Sequence, residues 1–181
     1  MSKAIDDLGR EHEAILFTLD VLERMAALIA EGKSLEAEDP PKLLAVLREF
    51  ADTCHHGKEE NILFPAMEAA GIPRERGPIG QMLAEHEAGR EHIRKMGAAA
   101  KAGDYPAFAR EARAYVELLR QHIEKENTVL FPMGERTLDA GTLERVMRKF
   151  DEHEERVIGA GRHEELHAIL EDFGRRYLPG R

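Results

Sequence analysis

Residues 54–65, CHHGKEENILFP, return almost intact at residues 121–132, QHIEKENTVLFP. Aligned on Phe64-Pro65 and Phe131-Pro132, the copies place His55 over His122 and Glu59 over Glu126, each time a His and a Glu four residues apart. On an α-helix that spacing turns about 40° past a full circle and rises roughly 6 Å, so both side chains lean the same way and reach one ion. Two such helices face to face would supply two imidazoles and two carboxylates.

The surrounding chain reads as helix throughout. Trp is absent, aromatic residues are few, and alternating β-branched runs are missing. A first helix over residues 3–30 carries Leu8, His12, Ile15, Leu19, Leu22, Ala26 and Ile29 at steps of four and three, the seam of a packed bundle. After a polar turn with Pro40-Pro41, a second helix over 41–69 places Leu44, Leu47, Ala51, His55, Glu59, Ile62 and Ala66 inward and stops before Gly71 and Pro73. A third, from about Pro78 to Lys101, has the seam Ile79, Met82, His86, Gly89, Ile93, Met96 and Ala100. The fourth starts with Asp104 as cap and Pro106 just inside, and its seam runs Phe108, Ala112, Tyr115, Leu119, His122, Glu126, Val129 and Met133. Residues 134–141 read as a loop, and a fifth helical region covers 142–177, weakened at Gly159-Ala160-Gly161.

Within the second helix His56 and Glu60 compete with His55 and Glu59. Their track continues back through Asp52 and Glu49, which is polar, so they read as a solvated or supporting pair; the register in which they replace His55 and Glu59 stays open. Pro65 and Pro132 predict a bend just past each His/Glu pair.

The chain thus falls into two related halves. His12 precedes its pair by 43 residues and His86 precedes its own by 36, and both sit in a Glu-His-Glu triplet. One such group per helix predicts an all-α, up-down-up-down four-helix bundle over residues 1–135, with a C-terminal helical extension over 136–181 docked on it.

At 181 residues with 43% apolar and 34% charged residues, the chain suits one domain of long amphipathic helices. A formal charge of -9 with no basic block excludes nucleic acid and anionic membranes as partners. No window approaches the ~20 apolar residues that span a bilayer, and no leader pattern precedes the first helix. A single cysteine, Cys54, excludes an internal disulfide and suits a reducing compartment, so the chain is expected in the cytoplasm.

Four histidines and two glutamates on inward tracks are costly to bury unless something compensates them. A metal centre does. Four imidazoles and two carboxylates suit iron, manganese or zinc rather than calcium or magnesium, and they are too many for one tetrahedral zinc. They fit two ions bridged by the carboxylates, with positions left for a small ligand.

REHEAIL around His12, HHGKEENILFP around His55 and Glu59, AEHEAGR around His86 and HIEKENTVLFP around His122 and Glu126 together resemble the hemerythrin-like, or HHE cation-binding, family over residues 5–133. The resemblance implies a non-haem centre of two iron ions, oxo- or hydroxo-bridged, with His12, His55, Glu59, His86, His122 and Glu126 as ligands and the two glutamates as bridges. It further implies that the centre binds or senses oxygen or nitric oxide. Oxygen carriers of the family have a fifth histidine one turn after the third-helix ligand, where this chain has Arg90. That departure admits other readings: iron-sulfur centre repair, iron donation, or reduction of nitric oxide or peroxide. A metal-dependent sensor or interaction module is a further one.

Remaining candidates read more plainly. Cys54 beside the site reads as a buried thiol rather than a redox group, and Tyr115 as seam packing rather than a cofactor contact. His153, in a third Glu-His-Glu triplet, could join His163 and His167 in a second site or close over the first; a helix docked by Leu166, Leu170, Phe173 and Tyr177 is the simpler expectation.

Overall fold

The computed structural model describes residues 2–159 and 161–180, and among them there is helix and no strand. Helix α1 is Lys3–Ala30, α2 spans 39–69, α3 is Pro78–Ala102, α4 spans 105–137, α5 is Ala140–Val157 and α6 is Arg162–Tyr177. The first four make the up-down-up-down bundle, while α5 packs on α1 and the middle of α2, and α6 packs on α1. Among the described residues no helix is long and apolar enough to cross a membrane.

Local chemistry fixes the boundaries. Asp104 caps α4 by accepting the Ala107 amide, and Asp139 caps α5 by accepting that of Thr142. Gly103 closes α3 at φ 70°, the left-handed value that glycine takes without strain. The loop expected over 134–141 shrinks to Leu138 and Asp139: Gly134 stays helical and buried, its Cα facing Met67 of α2. The expected fifth helical region is two helices, parted by positive-φ Gly159 and Gly161; Ala160 between them lies outside the described residues.

Two helices depart from α geometry where the site sits. In α2, Leu47–His56 and Glu59–Leu63 wind as π-helix, and in α4 Glu126–Leu130 does the same. A π-turn bonds i to i+5 and takes in an extra residue. Pro65 and Pro132, which have no N–H to give, follow immediately. The consequence is a seam that slips by one position in both copies. Ile62 and Ala66 were expected inward in α2, but Leu63, Phe64 and Met67 are buried instead. In α4, Val129 is 49% exposed, and Leu130 and Phe131 take the inner face.

The apolar core comes in two parts. One gathers Leu19, Leu22, Leu43, Leu47, Phe108 and Leu119 with their neighbours, the other Ile5, Leu8, Phe64, Ile79, Phe131 and Phe150. Every site residue lies in the layer between them. His12 falls between Leu8 and Ile15, His55 and Glu59 between Ala51 and Leu63, His86 between Met82 and Ile93, and His122 and Glu126 between Leu119 and Leu130. Helix α6 is pinned to the start of α2 by Asp39, which accepts from Nη1 and Nη2 of Arg176 at 2.6 and 3.0 Å and from the Tyr177 hydroxyl.

Candidate metal centre

The six residues expected as ligands meet in that middle layer, and all are buried. Joined by His56, they fall into two overlapping groups whose candidate donor atoms lie within 4.8 Å of one another: His12, His55, Glu59 and Glu126, and His56, Glu59, His86 and His122. Glu59 belongs to both. One of its oxygens is 3.7 Å from His55 Nε2 and the other 3.4 Å from His86 Nε2. Glu126 also spans the centre, with Oε2 3.2 Å from Nε2 of both His12 and His122.

Each of the four expected histidines is held from behind. Nδ1 of His55 donates to Glu11 at 2.7 Å and Nδ1 of His122 to Glu85 at 2.9 Å. Nδ1 of His12 donates to Asn127 at 2.9 Å and Nδ1 of His86 to Glu60 at 2.7 Å. Glu11 and Glu85 immediately precede the lone histidines, and Glu60 and Asn127 immediately follow the paired glutamates. The repeat therefore extends to the supporting residues. Such partners fix tautomer and ring direction, so the four Nε2 atoms turn inward.

Lysines back the two leading carboxylates. Lys58 Nζ, 1% exposed, reaches Glu11 at 2.6 Å, Glu154 of α5 at 2.8 Å and Asp7 at 3.1 Å, while its counterpart Lys125 pairs with Glu85. Burial opposes ionisation of Glu11, but His55 and Lys58 outweigh it and hold the carboxyl down to about 2. Burial likewise opposes the charge on Glu85, yet His122 and Lys125 bring it to about 2. Burial disfavours the His122 imidazolium, and Glu126 with Glu85 nonetheless lifts it to about 10.

The chemistry of the layer fits metal. Both oxygens of Glu59, both of Glu126, and Nε2 of His12 and His55 are buried and find no hydrogen-bond partner among the described residues. His86 and His122 bring their Nε2 atoms to 3.1 Å while both Nδ1 atoms donate outward, so two lone pairs would face each other unless a proton or cation lies between. Buried polar atoms left without partners are rare, and a cluster of imidazoles and carboxylates oriented toward one space is what a cation relieves.

One sequence reading changes here, that of His56, and the other candidates fall as expected. His56 and Glu60 do not behave as a pair. Glu60 supports His86, as the supporting role required, but His56 is inside the layer, 4% exposed and stacked on His86 with ring centres 3.8 Å apart. The helical wheel held the signal: Glu59 lies about 40° past His55 and about 60° short of His56, so all three share one sector. Arg90 reaches outward and binds Asp52 at 2.8 Å and Glu60 at 2.7 Å. Cys54 is buried, and burial with the nearby Glu11 pushes its thiol up to about 12, far from a reactive thiolate. Tyr115 packs in the core beside Gly89. His153 makes no second site with His163 and His167, which are exposed; its Nε2 donates to the Thr53 carbonyl at 3.0 Å, against Gly57.

Four helices that bury histidines and shared carboxylates between two apolar cores define a metal-binding bundle. The hemerythrin HHE cation-binding domain matches residues 3–134, and the chain belongs to that family. It is also 28% identical over 169 residues to uncharacterized protein Rv1995 of Mycobacterium tuberculosis and to uncharacterized protein Mb2018 of Mycobacterium bovis. The match covers 86% of this chain and 63% of each relative, so the chain spans less than two thirds of their length. No solved structure matches it significantly.

Proposed function

We propose that this chain is a two-iron protein that binds or senses a diatomic ligand, oxygen or nitric oxide, with His12, His55, Glu59, His86, His122 and Glu126 as metal ligands. Residues 1–135 are the metal-binding bundle in this reading, and 136–181 a docked extension. The observation that carries it is the pair of buried carboxylates, Glu59 and Glu126, each reaching histidines on both sides of the centre while its oxygens have no hydrogen-bond partner among the described residues. Iron bound there would supply open coordination positions and a ferrous-ferric couple. The protein's part is to hold the imidazoles from behind and to exclude bulk water between two apolar layers. Manganese or zinc suits the same donors, and a cytoplasmic setting suits the single buried Cys54.

The deciding experiment loads metal-free protein with ferrous iron under anaerobic conditions, then admits oxygen or nitric oxide while absorption is followed. Two irons per chain and a band that disappears when the gas is removed support the reading. Oxidation without a reversible adduct moves it to the reactive alternatives of cluster repair, iron donation or nitric oxide and peroxide reduction. Failure to retain metal overturns it.

A second reading, as a sensor, is favoured by one path: Glu154 of α5 contacts Lys58, Lys58 contacts Glu11, and Glu11 contacts His55. A metal-dependent change in protease protection of residues 142–177 tests it.

A further inference from the structure

We propose that Glu11, Cys54 and Glu154 form a further cation site outside the histidine layer, which takes one thiophilic divalent cation, such as zinc, ferrous iron or cadmium, in place of the ammonium of Lys58. The site goes beyond the two-ion reading and stands or falls apart from it.

Its donors come from three helices, α1, α2 and α5. Sγ of Cys54 and one carboxylate oxygen each of Glu11 and Glu154 lie within 4.8 Å of one another. Cys54 is 1% exposed, and its thiol has no hydrogen-bond partner among the described residues, so the sulfur meets the two carboxylates unengaged.

A cation already stands there. Lys58 Nζ is as deeply buried, and its three N–H bonds are spent on Glu11 at 2.6 Å, Glu154 at 2.8 Å and Asp7 at 3.1 Å. Carboxylates drawn from three sides to one dehydrated charge are the surroundings of a bound cation, and the ammonium is its stand-in. Lys58 does not account for the thiol. A protonated sulfur is a weak acceptor that gives an ammonium little, whereas sulfur together with carboxylate oxygen suits zinc or ferrous iron. Burial and Glu11 keep the thiol protonated at rest. On binding, its proton passes to solvent, the cation takes the thiolate with Glu11 and Glu154, and Lys58 withdraws toward Asp7 still charged.

The repeat shows that packing does not require this sulfur. Gln121 stands where Cys54 does, and Lys125, a third exposed, pairs with Glu85 alone. Solvent reaches the site through a pocket of about 440 Å³ lined by Asp7, Asp151, Glu154, Glu155, His163 and Glu164. Asp151, Glu155 and Glu164 have no ion pair among the described residues, so the mouth is negative and draws cations in. Because the other oxygen of Glu11 holds His55, a cation bound here sits one carboxylate away from the histidine layer.

Cadmium binding followed by ultraviolet absorption tests the site, because a cadmium–thiolate bond gives a charge-transfer band and Cys54 is the only thiol of the chain. The native chain should develop the band of one thiolate. Lys58→Met, freed of the competing ammonium, should develop it at about tenfold lower cadmium, and Glu154→Gln should need about tenfold more. Cys54→Ser should lose the band and still bind cadmium in the histidine layer. No band from the native chain at any cadmium level that the fold withstands overturns the site and leaves the two-ion reading standing. A band of unchanged affinity in Glu154→Gln also overturns it, since the thiol would then bind alone, and unchanged affinity in Lys58→Met overturns the displacement of the ammonium. The native and Glu154→Gln titrations decide even if Lys58→Met fails to fold. A native band with no cadmium retained by Cys54→Ser supports the site and overturns the two-ion reading instead.

Discussion

Glu11 holds His55 from the neighbouring helix, with one oxygen 2.7 Å from Nδ1 and the other on Lys58. Glu85 holds His122 in the same way, backed by Lys125. Losing such a partner typically lowers metal affinity about 10–100-fold. Glu11→Ala and Glu85→Ala should each weaken binding by that order in competition with a chelator. Unchanged affinity in both would remove the supporting role.

Lys58 is the buried cation among Asp7, Glu11 and Glu154. In Lys58→Met three carboxylates face each other without it, and breaking a buried charge cluster from one side costs about 3–5 kcal/mol. Lys125→Met, at a half-buried place with one carboxylate partner, should cost much less. Urea unfolding of the two variants measures the difference, and equal losses would contradict it.

Gly57 leaves room for His153. A Cβ built there falls 2.6 Å from His153 Nε2, while that ring is tied to the Thr53 carbonyl and so cannot simply swing away. Gly57→Ala should cost about 1–3 kcal/mol, the usual range for overpacking. Adding His153→Ala should recover part of the loss, because the two changes share one contact. Strict additivity of the two changes would show that the clash is relieved some other way.

Asp39 gives a pH dependence away from the metal layer. Burial works against its ionisation, but Arg176 and Tyr177 outweigh that and lower its pKa below the ordinary 3.8. A folded-state pKa that is depressed contributes stability above the unfolded value and loses it as pH falls through the folded one. The stability gap between the native chain and Asp39→Asn should therefore be constant above about pH 5 and shrink below 3.8. Thermal unfolding of both across that range checks it; a gap that persists into acid would mean that Asp39 carries no charge-dependent share.

The helices, the bundle and the meeting of His12, His55, His86 and His122 are legible because apolar residues recur at steps of four and three as far as each His/Glu pair, even where Leu47–His56 winds as π-helix. Beyond the pairs that pattern slips by one residue. A π-turn is invisible to a wheel drawn at 100° per residue, which puts Val129 inside where the structure buries Leu130. The same wheel put His56 on a polar track because Asp52 and Glu49 follow it, although Glu59 lies between the two histidines in angle. The supporting carboxylates leave a trace in the sequence: the Glu-His-Glu triplets carry, in Glu11 and Glu85, the partner of a histidine on another helix. Pairings between helices depend on packing angle and height, which sequence periodicity does not contain. Lys58 and Lys125, matched in the repeat, mark the same support from the side of the cations.

The separation of the apolar core into two parts governs how the chain should behave once its cations are stripped. Greasy plugs would still grip the helices top and bottom, whereas the stratum joining them would be left with mutually repelling lone pairs and carboxylates. Opening should then begin at the waist, with amides near Glu59 and Glu126 exchanging with solvent before those toward the helix ends, the reverse of ordinary fraying.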